Sequence, residues 1–251
     1  MKKIICLLSI IFLLLQSCSS SDNNSSSPSL ILLKKSIVTN PDGVFTTYHT
    51  YNGNKALKAT TVNFGASEFI YSGDLITSIK SYDINNNLTW NTLFYYNSNN
   101  EISYFVELNY LSNVGHRIVY THNANGSILS KQYTGDLNNQ NSLSYICTIY
   151  FLNGEVSSEV FSYGSSKTIN FTYDNKNQQN KNVLGFDKLY YAIYGPFSAE
   201  NQHNMIQSIY LENGVQTFLK QYQIEYNLDG YPISKTITTN NLSDESLQLF
   251  Y

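Results

Sequence analysis

Residues 94–105 read FYYNSNNEISYF. Two short runs in which apolar or aromatic residues alternate with polar ones flank Asn97-Ser98-Asn99-Asn100, whose side chains favour turns by bonding back to their own backbone. Period-two alternation bounded by such a stretch predicts a β-hairpin. Variants of the unit recur from about Tyr51 to the C-terminus. Ile118-Val119-Tyr120 turns through Asn125-Gly126 into Ser127-Ile128-Leu129, and Thr148-Ile149-Tyr150-Phe151 turns at Asn153-Gly154 into Glu155-Val156. Ser208-Ile209-Tyr210 precedes Asn213-Gly214, and Gln223-Ile224-Glu225-Tyr226 precedes Asp229-Gly230. Asn-Gly and Asp-Gly between alternating runs predict type I′ hairpin turns, because both central positions then need positive φ. The connections are too short for the crossovers of a parallel sheet. The expected fold is therefore all-β: a long antiparallel meander of repeated hairpins in one twisted, curved sheet, open rather than a closed shell. It occupies residues 30–251 as a single β-repeat domain. Lys34-Lys35 near its start suits an edge strand that discourages pairing with other chains. The rhythm breaks at residues 182–204, NVLGFDKLYYAIYGPFSAENQHN, which predict irregular or helical structure.

Composition supports strands and narrows the function. Charged residues are 13% of the 251, against roughly 25% in ordinary globular proteins. The 22 tyrosines carry much of the aromatic content, and Tyr and Thr fit a pleated, half-buried surface. The net charge is -3 and no basic stripe exists, which excludes nucleic acid as the expected partner. Of three cysteines only Cys147 falls inside the repeats, so stability rests on packing and ladder hydrogen bonds rather than a disulfide.

Residues 1–17 read as an export signal, with Lys2 and Lys3 ahead of an apolar run from Ile4 to Leu15. A bilayer core of ~30 Å needs about twenty such residues, so the run is too short to span it. Leu15-Gln16-Ser17-Cys18 resembles the lipobox of bacterial lipoproteins. That resemblance implies cleavage before Cys18, acylation (palmitate) of Cys18, and a membrane anchor of two or three acyl chains. Residues 18–29, the lipidated cysteine and a Ser/Asn-rich run with Pro28, cannot bury enough apolar area to order themselves and read as a tether. The tract after Cys18 is similar to the one carried by surface-exported Bacteroidetes lipoproteins. It implies an outer-membrane location in the cell envelope, with surface exposure.

Phe171-Thr172-Tyr173-Asp174 and Ile224-Glu225-Tyr226-Asn227-Leu228-Asp229-Gly230-Tyr231-Pro232-Ile233 resemble the YD repeats of Rhs and teneurin proteins. With the lipobox ahead of it, the whole of residues 40–251 is similar to Bacteroidetes lipoproteins of unknown function that carry an RHS-like repeat. The resemblance implies a fold and no activity. The chain lacks the regular Gly-Arg pair of true Rhs repeats and is too short for their large shell, hence the open sheet.

The chemistry-bearing residues form no recognised motif. His49, His116, His122 and His203 lack the spacing of a metal site, and Asp174 to Gln178 fails as a calcium loop because Lys176 and Gln178 stand at ligand positions. No metal or cofactor is expected. Glu155 and Glu159 lie an even number of residues apart, so one strand face could present the two carboxylates a glycosidase needs. Phosphate loops and hydrolase motifs are missing. Cys147, inside an apolar alternation, reads as a small buried or half-buried side chain. Trp90, Tyr190, Tyr191, Tyr194 and Phe197 are the candidates for a contact surface. The functional expectation is a non-enzymatic, lipid-anchored envelope protein that binds a glycan or another envelope protein. The alternatives are a scaffolding lipoprotein and a glycan hydrolase.

Overall fold

A computed structural model describes residues 30–163, 165–192, 199–240 and 242–251. The export signal, Cys18, the tether, Tyr194 and Phe197 lie outside the described residues. Residues Ile31–Tyr251 form one compact unit.

Its strands are β1 (Lys35–Asn40), β2 (Gly43–Asn52), β3 (Lys55–Thr61), β4 (Gly65–Ser72), β5 (Leu75–Asp83), β6 (Leu88–Tyr96), β7 (Ile102–Asn109) and β8 (Val114–His122). They continue as β9 (Ile128–Gly135), β10 (Gln140–Leu152), β11 (Glu155–Tyr163), β12 (Ser165–Tyr173), β13 (Met205–Glu212), β14 (Val215–Tyr226), β15 (Pro232–Thr239) and β16 (Leu242–Phe250). Each pairs antiparallel with the next, as the hairpin reading requires. The sheet is not open. β1 pairs with β16, placing Ser36 opposite Leu249 and Val38 opposite Leu247, and the 16 strands close into a barrel. Turn signals are local, whereas this pairing joins the two ends of the chain and leaves no mark on the period of the repeat. The lysines accordingly guard no edge: Lys35 sits 4.7 Å over the Phe250 ring across the seam.

The turns show why the repeat has the letters it has. Asn153-Gly154 and Asn213-Gly214 have positive φ at both positions, as type I′ demands. At Asn125-Gly126 and Asp229-Gly230 only the glycine does, because those turns start two residues earlier: Gly126 N–H donates to the Asn123 carbonyl and Gly230 N–H to that of Asn227, each at 3.0 Å. Asn97 to Asn100 repeats this geometry with Asn100 in the left-handed position. The first residue of the turn then caps it with its side chain. Asn97 Oδ1 accepts the N–H of Asn99 and Glu101, and Asn227 Oδ1 those of Asp229 and Tyr231.

The tyrosines that end strands have a shared task. Tyr51 donates its hydroxyl to the Leu33 carbonyl at 2.7 Å, Tyr96 to that of Ile76 at 2.6 Å, and Tyr173 to that of Val156 at 2.8 Å. Each ring thus ties its strand to backbone roughly one hairpin earlier, at the same end of the barrel. Inside, the alternation delivers Phe105, Ile118, Ile149 and Val156, all fully buried.

The irregular stretch is the β12–β13 connection, whose described residues 174–192 and 199–204 close that same end. Gly185 (φ 82) opens a one-turn 3-10 helix, Phe186–Lys188, seated so close to Asp74 and Ile76 that a Cβ would approach the Asp74 carbonyl to 3.0 Å. Leu184 N–H donates to the Asn54 carbonyl in the β2–β3 turn, and Asn177 N–H to that of Gly230 in the β14–β15 turn. The connection also reaches the start of β11, where Glu155 accepts the N–H groups of Asn201, Gln202 and His203, and that of β7, where Tyr191 meets Ile102; contacts spread around the rim in this way make it a cap. Leu189, fully buried, and Tyr191 fill the space beneath it. The other end carries only short turns among the described residues.

Candidate functional site: the capped lumen

Beneath the cap lies a cavity of about 550 Å³ bounded by β1 to β7, β16 and cap residues Gln179, Asn180 and Phe186. Its wall is graded along the barrel. Near the cap stand Leu33, Phe69, Phe94, Phe186 and Leu249; towards the uncapped end the lining becomes Thr47, Ser81, Trp90, Thr92 and Glu107. The hydroxyls there are largely satisfied by one another, as in Thr47–Thr61 at 2.9 Å and Ser67–Ser81 at 2.8 Å. Glu107 is 7% exposed, and burial pushes its carboxyl up to about 7, with the Trp90 indole pulling it back towards the ionised form. In register it stands between Thr92 on β6 and His116 on β8. Burial lowers the pKa of His116, whose Nδ1 lies 3.3 Å from Gln132 Nε2, and that of His49, a second lining residue.

A second cavity, about 330 Å³, adjoins the first through Gln179, Asn180, Phe186 and Leu247 and is more polar, with Lys220, Lys235, Glu200 and Glu245 in its wall. Lys235 pairs with Glu200 at 3.1 Å. A third of about 330 Å³ holds Glu159 and Lys167. Burial raises the Glu159 carboxyl to about 7 while the Lys167 ammonium pulls it down.

The residues singled out by sequence divide sharply. Trp90 lies inside, in the wall of the main cavity, rather than on an outer sheet face. Tyr191 is buried under the cap, where its hydroxyl accepts the Ile102 N–H at 3.0 Å, and Tyr190, half-buried, stands edge-on to it with ring centroids 5.2 Å apart. Glu155 and Glu159 are not brought to one task. Glu155 is committed to the cap, accepting the N–H groups of Asn201, Gln202 and His203 at 3.0, 2.8 and 3.0 Å and the His203 ring at 3.1 Å. His116 and His122 do share one face of β8 but serve separate partners; His122 Nε2 lies 3.0 Å from the Ile102 carbonyl. Cys147 is fully buried, and burial pushes its thiol well above the usual range. Sequence reasoning passed over Glu107. Its signal was phase: it stands two residues after Phe105, so a carboxylate occupies the face that buries a phenyl ring.

No protein-family model matches the chain, and no curated protein does. Among the solved structures that share its fold are two porin-like proteins. One is a porin-like protein from Bacteroides vulgatus ATCC 8482, 14% identical, with a TM-score of 0.58 over 88% of this chain and 98% of that one. The other is a porin-like protein from Bacteroides uniformis ATCC 8492, 10% identical, with a TM-score of 0.50 over 87% and 96%. At such identities the likeness shows the fold, a closed porin-like barrel. It carries nothing on YD repeats.

The outer face of this barrel mixes charged side chains with apolar ones such as Ile70, Tyr95 and Tyr150. Membrane barrels present an apolar band about 25 Å tall. Here Lys58, Glu68 and Lys80 are register partners across β3, β4 and β5, and Lys58 pairs with Glu68 at 3.1 Å. The row continues to Asn91 on β6. Arg117 lies mid-strand on β8, its guanidinium 5.0 Å from the Tyr133 ring centroid, and Gln207 faces Gln221 across β13 and β14. A Lys or Arg at the bilayer midplane costs roughly 2–4 kcal/mol, so several such side chains oppose insertion.

Proposed function

We propose that this chain is a lipid-anchored protein of the bacterial outer membrane whose barrel stands in water, tethered by acylated Cys18, and works as a binding cup rather than as a channel. The main cavity carries the reading. Its size lies within the ~300–1,000 Å³ typical of small-molecule sites, and its largely apolar surface carries polar groups at both ends, Thr92 and Glu107 at one and Gln179 and Asn180 at the cap. The charged outer rows support the same reading, since they suit solvent, and the cap supports it by closing the end that a conducting pore would need open. The ligand class is a small, largely apolar molecule.

Three measurements test this. Cys18→Ala should abolish palmitate labelling and release the protein from membranes. A chain beginning at Ser27 should be monodisperse without detergent and give no conductance in planar bilayers. It should also bind the apolar fluorophore N-phenyl-1-naphthylamine with an emission blue shift; single-channel currents, or insolubility without detergent, would refute the reading.

A second reading attaches to the outer surface. Tyr95 and Tyr104 stack with centroids 4.2 Å apart and an interplanar angle of 10°, and Tyr95 is exposed. A flat, exposed aromatic pair suits a sugar ring, so the glycan or envelope-protein partner belongs there; Tyr95→Ala should then abolish binding on a glycan array.

A further inference from the structure

The buried charges of the lumen are nearly all answered within the protein. Lys235 has Glu200, Glu155 has the cap N–H groups and His203, and Glu159 faces Lys167. Glu107 is the exception among the buried carboxylates. It is over nine-tenths buried, forms no ion pair among the described residues, and takes a hydrogen bond from the Trp90 indole. Burying a carboxylate costs several kcal/mol unless a partner compensates. The main cavity supplies no cation of its own. Lys58 contributes to the wall but turns its ammonium to Glu68, and burial favours the neutral form of His49. The groups facing Glu107 from neighbouring strands are Thr92 and Trp90 on β6 and His116 on β8, whose protonation burial also disfavours. The cavity thus has an apolar part around Phe186, Leu33 and Leu249 and one uncompensated acid towards its far end.

Building on the lumen-binding reading above, we propose that the ligand is an apolar amine: a hydrocarbon tail seated beneath the cap at Leu33 and Phe186, with one protonated amino group at the Glu107 carboxylate beside Trp90. The shape fixes which way the ligand lies, and the acid decides its head group. A fatty acid of the same length would set carboxylate against carboxylate; an alcohol would leave the charge unanswered. Because the free Glu107 titrates near 7, amine affinity rises between pH 6 and pH 8, while that of a neutral analogue stays level.

The experiment displaces bound N-phenyl-1-naphthylamine from the folded chain beginning at Ser27 with decylamine, decanol and decanoate, at pH 6 and pH 8. Decylamine should displace it at concentrations at least tenfold lower than decanol at pH 8, with decanoate weakest. In Glu107→Gln that preference should vanish and its pH dependence with it; Glu225→Gln, exposed on β14, should keep both. Equal displacement by all three, or decanoate strongest, would overturn the amine assignment while leaving lumen binding intact. A fluorophore that does not bind at all would remove the lumen-binding reading and this inference together.

Discussion

Glu107 and Glu159 both hold their protons to about 7, against 4.5 for an unperturbed glutamate, and burial is the leading cause in each. Between those two values the folded chain binds more protons than the unfolded one, so unfolding free energy falls as pH rises across that window and levels off above it. Asp83 and Asp136, held low by N–H groups of their own turns, act with the opposite sign below 3.8, and His49 and His116, whose protonation burial disfavours, do so below 6.5. Urea midpoints should therefore be higher at pH 6.5, above which the glutamates dominate, than at pH 7.5. Glu107→Gln and Glu159→Gln should each shrink the difference, and identical pH profiles in wild type and the double variant would contradict the assignment. The tyrosine ladder makes a second claim at this scale. Removing the Tyr96 hydroxyl leaves the Ile76 carbonyl without that donor, so Tyr96→Phe should cost roughly 1–3 kcal/mol in urea unfolding, although phenylalanine keeps the ring.

Among the elements, hairpins were legible because Asn, Gly and Asp have a local reason to turn. Asn97, Asn123 and Asn227 start equivalent turns, and the letters that mark them are the atoms that make the bonds. Which face points inward was not legible for Trp90. Trp90 keeps phase with Thr92 and Phe94 in the lumen, but in an aromatic run such as Phe94-Tyr95-Tyr96 either phase looks acceptable from sequence. The cap was legible as a break in rhythm, but its position was not, since its anchors on Asn54 and Gly230 are remote in sequence. Glu155 fastens its C-terminal limb, three consecutive N–H groups converging on one carboxylate. Glu155→Gln removes the charge from those bonds at similar volume. The amides of Asn201, Gln202 and His203 should then exchange with deuterium at least tenfold faster, while amides in β7 and β8 keep their protection; uniform change across the barrel would show that the cap is not a separate unit.

At the scale of the whole molecule, the repeat dictates a ribbon and leaves its ends undetermined. A meander of antiparallel strands can remain open, with edge N–H and C=O groups exposed, or close and remove the edges altogether. Sixteen strands are enough to curl the ribbon round onto itself with a lumen left inside. Closure sets Ile37 of β1 opposite Gln248 of β16, both on the outer face, where directly opposed Cβ atoms lie about 4.5–5.5 Å apart and two cysteines can join with little backbone movement. In a chain beginning at Ser27 the only native thiol is that of Cys147, which is fully buried. Ile37→Cys/Gln248→Cys in that chain should therefore oxidise under mild conditions to a monomer carrying one disulfide, mapped by mass spectrometry to the seam. If β1 and β16 were free edges of an open sheet, the same thiols would stay reduced or link separate molecules, and the dimer band on a non-reducing gel would say so.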